Sequence, residues 1–190
     1  MTLKFKDKLN GKRISLQRNT PTDNLAETMF ETIDSNREHL RPWLPWEKLT
    51  LKVEDSMKYL VDTEEKTQKG ERVDYGIYLE NQYVGNIGFM DISKTNKSGE
   101  IGYWMSSEVA GNGYMTEAVG ILERELFDSF DFNRILIKCD ERNVASARVA
   151  KKCGYTHEGT LREDTWSDHF EDFRNTLIFS KLKSEYSHNS

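Results

Sequence analysis

The sequence predicts an α/β (α+β) fold, with a mixed, mostly antiparallel sheet that is flanked by helices. Three observations lead to this prediction. The chain has 190 residues, of which 36% are hydrophobic, which is enough for one domain with its own core. After a first short strand, apolar residues follow a helical period up to residue 69 and then alternate from residue 73. The element order is β-α-α-β-β-β-α-β-α-β-β, without repeats, so we expect one domain over residues 1–184 and a frayed tail over 185–190.

The first part of the chain reads as one strand and two helices. Alternating apolar residues predict the strand over 14–18. Thr22 or Asp23 can cap the first helix, which we expect to run to Asp34. A second helix is predicted over 53–69, where Gly70 ends it.

The middle of the chain reads as an antiparallel meander of three strands. Residues 73–79 and 83–90 alternate around a short polar turn, which is typical of a hairpin. A second polar turn leads to a third strand over 100–105. These three strands are expected to pair in the order in which they occur.

The last part returns to alternating helices and strands. Apolar residues from Met115 to Phe130 recur at helical spacing, and a buried strand is predicted over 134–140. A helix begins near Asn143 and ends before Gly154. Two strands over 155–161 and 173–182 close the fold.

Composition narrows the classes of function. The chain carries 27 basic and 32 acidic residues, a formal charge of −5, which argues against general nucleic-acid binding and weakly favours a cationic partner. No apolar run approaches the ~20 residues of a membrane span, and the first residues lack the apolar core of a secretory signal. We therefore expect a cytoplasmic protein without a membrane partner. Cys139 and Cys153 form neither a disulfide framework nor a zinc motif, so we expect no metal.

The stretch EVAGNGYMTEA, residues 108–118, places two glycines between a strand and a helix. Glycine accepts positive φ and lets a ligand approach the backbone, and the first turn of a helix has free N–H groups. This arrangement can cradle a phosphate or pyrophosphate, although a plain turn is the alternative. A Walker loop is excluded because no Lys-Ser/Thr pair follows Gly113, and the dinucleotide fingerprint lacks its third glycine. The candidate N–H donors are those of Gly111, Asn112, Gly113, Tyr114, Met115 and Thr116.

A second motif begins the helix near residue 143. Asn143 and Ser146 are three residues apart and share one face of its first turn. By spacing alone, Asn143 is a helix cap and Ser146 is a small structural residue.

Taken together, EIGYWMSSEVAGNGYMTEA and NVASARVAKKCGY resemble the GNAT superfamily of acetyl-CoA-dependent N-acetyltransferases, most closely the RimJ/RimL-type ribosomal-protein branch. The resemblance covers nearly the whole chain. It implies a GNAT fold whose sheet is splayed between the fourth and fifth predicted strands. The glycine loop would hold the coenzyme A pyrophosphate, and the pantetheine arm would lie in the splay beside backbone groups of the strand that ends at Met105. Glu108 departs from the Gln or Arg that is common in this loop, so we expect it to point into solvent.

The resemblance also implies roles near the reacting thioester. Asn143 would bind the pantetheine or acetyl region, and Ser146 would hydrogen-bond or protonate the coenzyme A sulfur. Glu100 is the first choice for the general base. In the ribosomal-protein branch a carboxylate from a later loop is another candidate, but Thr165 stands at the position that we align with it.

The segment HLRPWLPW, residues 39–46, is a proline-stiffened loop. Its indoles could wall an acceptor pocket or could pin the loop to the core, and the resemblance favours the pocket. We therefore expect His39, Trp43 and Trp46 to contact the acceptor. The function implied is transfer of acetyl from acetyl-CoA to a primary amine, with a protein N-terminal α-amine, such as that of a ribosomal protein, as first choice. A small amine as acceptor, or a coenzyme A-binding protein without catalysis, remains the alternative, and a homodimer is possible.

Overall fold

The computed structural model describes residues 3–186, which form one eight-stranded sheet with helices on both faces. The strands are β1 Lys8–Asn10, β2 Ile14–Arg18, β3 Val73–Leu79, β4 Gln82–Ser93, β5 Ser98–Met105, β6 Arg134–Asp140, β7 Thr156–Ser167 and β8 Asp172–Leu182. The helices are α1 Asp23–Asp34, α2 Arg37–Leu40, α3 Val53–Lys69, α4 Tyr114–Arg124 and α5 Val144–Lys152. The strand order across the sheet is β1-β2-β3-β4-β5-β6-β8-β7. Within the described residues, no helix is both long enough and apolar enough to span a membrane.

Strands β1 to β5 pair antiparallel in the order of the chain, so the predicted meander is confirmed. Strands β6, β8 and β7 form a second antiparallel group. The two groups meet at the single parallel contact of the sheet, between β5 and β6.

That parallel contact is short. Only Ser98, Gly99 and Glu100 of β5 have partners on β6, namely residues 134–136. Beyond them the rest of β5 and the end of β6 are not paired with each other. The predicted splay between the fourth and fifth strands is therefore present, between β5 and β6, since the short β1 shifts the numbering by one.

Alternation along the strands divides the core between two faces. On one face Ile87, Phe89 and Ile101 pack with Leu122 and Leu126 near α4. On the other face a smaller cluster joins α1 and α3 to β4: Leu25, Ala26, Met29, Ile33, Leu40, Leu60 and Tyr83. The helices thus hold the splayed sheet from both sides.

Helix ends follow the predicted capping residues closely. The Thr22 side chain accepts a hydrogen bond from the N–H of Leu25 and begins α1. Gly70 ends α3 with φ of 69°, a left-handed conformation that glycine adopts without steric cost. Asn143 caps α5, and Gly154 follows that helix with φ of 77°. The predicted helix up to Phe130 is α4 followed by a π-helical turn over Glu125–Ser129.

Several elements differ from the sequence-based expectation. Strand β1 was not predicted, and the loop over 39–46 begins inside the short helix α2. Strand β7 extends six residues beyond the predicted end at Leu161. Within the predicted tail, Glu185 closes a 3-10 turn and Tyr186 stacks on Phe127 with ring centroids 4.8 Å apart, while residues 187–190 lie outside the described residues.

Candidate active site

A cavity of about 480 Å³ opens where β5 and β6 part. Its walls come from residues 100–105 of β5 and 137–140 of β6. The glycine loop, α5, the region of His39 and a few residues of β7 and β8 complete the lining. The site therefore exists because the sheet is incomplete at this place, and unpaired backbone groups of β5 face the opening.

The glycine loop has the geometry of an anion cradle. Gly111 and Gly113 have φ of 82° and 81°, and Gly113 is the cap of α4. A Cβ added at Gly111 would meet no atom within 4 Å, so open space lies beside this backbone. The first N–H groups of a helix have no partner within it. Apart from Asn112, every predicted donor residue lines the cavity.

Asn112 is turned away from the cavity. Its side-chain amide donates to the carbonyls of Val109 and Ala110, at 3.2 and 3.4 Å, and its own carbonyl accepts from Arg13 at 3.0 Å. Asn112 thus shapes the loop through its side chain. Glu108 is exposed and is not part of the cavity wall, as expected for a carboxylate beside an anion site.

Cations that were not predicted surround the loop. The Arg13 guanidinium lies 4.6 Å from the Tyr114 ring centroid and pairs with Glu117 at 2.8 Å. Arg148 and Lys152 lie four residues apart on α5 and line the cavity. Arg13 is about a hundred residues away from the loop in the chain, so no local pattern could connect the two.

Ser146 sits at the centre of a small hydrogen-bonded group. Its Oγ lies 3.1 Å from the Tyr103 hydroxyl, whose single proton can go to this Oγ or to the Ser146 carbonyl at 3.2 Å. The Asn143 side chain accepts from the N–H of Ser146 at 3.0 Å. Burial raises the pKa of Tyr103, so this phenol stays neutral and can donate a hydrogen bond. All three residues line the cavity, and Tyr103 was not predicted.

Glu100 lies where the paired part of β5 ends and the opening begins. Lys138 of β6 binds its carboxylate at 2.7 Å. The hydrogen bond from Lys138 to Glu100 raises the pKa of the lysine despite its partial burial. The predicted base therefore lines the cavity as one half of an ion pair.

A second carboxylate reaches the cavity from β7. Thr165, the residue aligned with the later-loop position, is not in the wall, but its neighbour Asp164 is. Asp164 accepts hydrogen bonds from Thr176 at 2.8 Å and from Thr165 at 3.2 Å. Asp164 was a nearby carboxylate that did not match the aligned position, which Thr165 occupies, and the pairing of β7 with β8 brings it to the site.

The three predicted acceptor residues separate into two places. His39 and Trp43 line the cavity described above. Trp46 lies in a second cavity and packs against Trp104, with ring centroids 6.1 Å apart. The structure therefore does not bring Trp46 together with the other two.

The surroundings of the two cysteines bear on whether a thiol could react in this site. Cys139 lines the cavity beside Ser146, and burial raises the pKa of its thiol. Burial raises the pKa of Cys153 to about 12. Both thiols are therefore poor nucleophiles at neutral pH. Among residues 3–186 no cluster of three or more His, Cys, Asp or Glu could hold a metal ion.

Comparison with known proteins agrees with this geometry. The ribosomal-protein-serine acetyltransferase of Escherichia coli (strain K12) is 28% identical over 159 residues, 83% of this chain and 89% of that protein. The microcin C7 self-immunity acetyltransferase MccE, solved with acetyl-CoA and AMP, superposes with a TM-score of 0.84 at 26% identity, covering 90% of this chain and 93% of that one. RimJ of Mycobacterium smegmatis has the same fold, with a TM-score of 0.88 at 21% identity over 96% and 90% of the two chains.

The sequence model described as "Acetyltransferase (GNAT) domain" matches residues 13–156. This range contains β2 to β6, the glycine loop and α5, and it begins at Arg13. The matched range therefore holds both motifs and most of the cavity wall. The chain belongs to the GNAT family of acetyltransferases.

Proposed function

We propose that this acetyltransferase moves an acetyl group from acetyl-CoA to a primary amine, with a protein N-terminal α-amine as the preferred acceptor. The observation that carries the proposal is the opening between β5 and β6, which ends at a loop of free backbone amides. A long thiol-bearing ligand with a diphosphate fits such a site, because the amides bind the anion while the unpaired strand lies along the arm.

The chemistry of the donors supports coenzyme A. Amides of residues 111–116 would hold the pyrophosphate, and Arg13, Arg148 and Lys152 supply positive charge around it. The edge of β5 up to Met105 would pair with the amide groups of the pantetheine arm. The relative MccE was solved with acetyl-CoA, which is consistent with this assignment.

We propose direct attack of the amine on the thioester in a ternary complex, since holding both reactants together needs no covalent enzyme intermediate. Ser146 would donate a hydrogen bond or a proton to the departing thiolate, and Asn143 would position the acetyl region. Unpaired backbone N–H groups of β5 would stabilise the oxyanion. An α-amine is partly protonated at neutral pH, so Glu100, directly or through water, would take up its proton.

The choice of acceptor rests on the named relatives. The E. coli relative is named for a ribosomal-protein serine, which favours a polypeptide N-terminus. A ribosomal acceptor would place the reaction in the cytoplasm. The second candidate is a small amine, and the similarity to MccE, solved with AMP, favours it.

The test is coenzyme A release with two sets of acceptors. Short peptides with free N-termini form one set, and polyamines, amino sugars and free amino acids form the other. We expect turnover with peptides, and mass spectrometry should place the acetyl group on the α-amine. Turnover with small amines alone would select the second candidate. Tight binding of acetyl-CoA without turnover on any amine would indicate a coenzyme A-binding protein that does not catalyse acetyl transfer.

A further inference from the structure

A second cavity, of about 540 Å³, lies between α1, α3 and the β3–β4–β5 face of the sheet. Its size is in the range of about 300–1,000 Å³ that ligand pockets occupy. Leu44, Gly102, Tyr103 and Trp104 line both this cavity and the one at the splay. The two cavities thus share a wall beside the residues that would surround the thioester.

The wall of the second cavity is largely apolar and aromatic. Trp46 and Trp104 lie with ring centroids 6.1 Å apart, and Met29, Ile33 and Leu44 extend the same lining. The exposed charges Lys58 and Asp62 also contribute to the lining. Such a surface suits a large apolar or aromatic group.

The buried charges of this cavity are already satisfied. Asp74 is 1% exposed and accepts from Tyr59 at 3.0 Å, from Asn86 at 3.1 Å, and from two nitrogens of Arg72. Its lone pairs and its charge are therefore used within the protein. A cationic group of the ligand would find no free counter-ion at Asp74.

Unlike Asp74, the buried hydroxyl of Ser56 in this lining is not satisfied within residues 3–186. Ser56 is 1% exposed, and its Oγ has no hydrogen-bond partner within the part of the chain that the structure describes. A buried hydroxyl without a partner costs free energy, so a ligand group that pairs with it gains affinity. The lining thus offers an aromatic wall together with the Ser56 hydroxyl, which is unpaired among the described residues.

We propose that this second cavity binds the body of the acceptor next to its amine, and that it selects a large aromatic or apolar group with one uncharged polar tip, of the size of tyrosine. The inference rests on the proposed function, because the shared wall at residues 102–104 would then bring the amine to the acetyl group. The polar tip pairs with the Ser56 hydroxyl.

The volume argues against a small first residue. A water molecule takes about 30 Å³ in the liquid, and a serine side chain has only two heavy atoms. Serine or alanine would therefore leave most of the 540 Å³ unfilled. An aromatic side chain uses the available wall and buries far more apolar surface.

The test compares kcat/KM for short peptides that differ only in the first residue: Tyr, Phe, Ser or Ala. Tyramine is added as a primary amine without a peptide. We expect Tyr to exceed Ser and Ala by about 10-fold or more. Tyr should exceed Phe by about threefold to tenfold, the effect of one hydrogen bond. If kcat/KM for tyramine equals that for the Tyr peptide, the acceptor is a small aryl amine. If the peptide is strongly preferred, the acceptor is a polypeptide.

Ser56→Ala supplies the matched control. It should abolish the advantage of Tyr over Phe and leave the acetyl-CoA dissociation constant unchanged. Ser146→Ala should instead lower kcat/KM for all acceptors by the same factor, so that the ratios between acceptors stay unchanged. Equal or better rates for Ser and Ala in the wild type, or an unchanged Tyr/Phe ratio in folded Ser56→Ala, would overturn the inference and leave the acetyltransferase in place. Turnover of none of these amines would overturn the proposed function together with it.

Discussion

Ser146 is the residue whose surroundings bear most directly on catalysis. Because a free hydroxyl rotates to suit any neighbour, a contact that fixes its orientation makes it a better-prepared donor to the sulfur. Tyr103 lies 3.1 Å away, and its raised pKa keeps it a neutral donor. The phenol has one proton, and when it goes to Ser146 Oγ and not to the Ser146 carbonyl, the serine proton is left for the thiolate. Tyr103 would act through Ser146 as a positioning residue.

This pairing gives a prediction at the level of single residues. Ser146→Ala should lower kcat about 100-fold, the lower end for a positioned proton donor, with little change in the acetyl-CoA dissociation constant. Tyr103→Phe should lower kcat by about threefold to tenfold, the effect of one hydrogen bond. In the double variant the Tyr103 change should add almost nothing, because its partner is already gone.

Steady-state kinetics of the four proteins and titration with acetyl-CoA check this prediction. The folded state of each variant is verified by circular dichroism. Independent effects that multiply in the double variant would show that Tyr103 does not act through Ser146. Wild-type turnover in Ser146→Ala would remove the serine from the mechanism.

The residues that the sequence did not reveal share one property. Tyr103 and Asp164 reach the cavity, and Arg13 reaches the glycine loop, by long-range contacts, and no short motif contains the reason for their position. Asn143 as a helix cap and the two glycines as a turn were identifiable because these features are local. The role of Ser146 was implied only by the family resemblance. That Trp43 and Trp46 line different cavities could not be predicted, because nothing in the sequence shows on which side of β5 each indole falls. Their contact with the acceptor stays a prediction.

At the scale of elements, the loop before α4 depends on glycine for both conformation and access. Gly113 has φ of 81°, where a side chain costs about 1 kcal/mol, and its carbonyl accepts the N–H of Glu117. A side chain here would strain the backbone, and its Cβ would lie 3.5 Å from the Arg13 guanidinium beside the loop. The strain and the effect of an added charge can be separated by the choice of substitution.

Gly113→Ala and Gly113→Glu form a matched pair for this purpose. Both variants bear the backbone strain, but only the glutamate adds an anion beside the cradle, where it would also compete for the Arg13 guanidinium. We expect the glutamate variant to raise the acetyl-CoA dissociation constant by about 10-fold or more relative to the alanine variant, since one repelled charge at close range amounts to at least 1.4 kcal/mol. Isothermal titration at low and high salt measures the difference, which should shrink with salt. Equal affinity in two folded variants would refute the pyrophosphate role of the loop.

The elements that could be predicted are those with a one-sided apolar pattern. Helices α1 and α3 and the strand over 134–140 have the predicted bounds, because each buries one face or is buried throughout. Strand β7 was cut short at Leu161 because it lies at the edge of the sheet and its residues are almost all exposed, so no alternation appears. Strand β1 has three residues and only Leu9 is buried, which is too little pattern to detect.

At the scale of the whole molecule, the splay leaves few backbone hydrogen bonds between the group β1–β5 and the group of β6, β8 and β7. Strand β6 belongs to the second group, and Glu158 on β7 ties this group together, since its carboxylate binds Arg134 of β6 and accepts from Ser180 of β8 at 2.6 Å. The hydrogen bond from Arg134, with that from Ser180, lowers the pKa of Glu158 to about 2. The usual value is 4.5, so the carboxylate is the form that the fold prefers.

This shift fixes the direction of a pH effect on stability. A carboxyl whose folded pKa lies below its unfolded value stabilises fully above pH 4.5, and the contribution is lost as the pH falls toward 2. Glu158→Gln should therefore lower the free energy of unfolding at pH 7 by about 1 kcal/mol or less, the upper end for solvent-exposed ion pairs. The difference from the wild type should shrink as the pH falls below 4.5 and should vanish only below the folded pKa of about 2. Urea unfolding at pH 7, 4 and 2.5 measures this difference in the free energy of unfolding. Glu65→Gln, on the exposed side of α3, is the control. A deficit that grows as the pH falls, or one that Glu65→Gln reproduces, would show that the Arg134–Glu158 pair does not hold β6, β7 and β8 together.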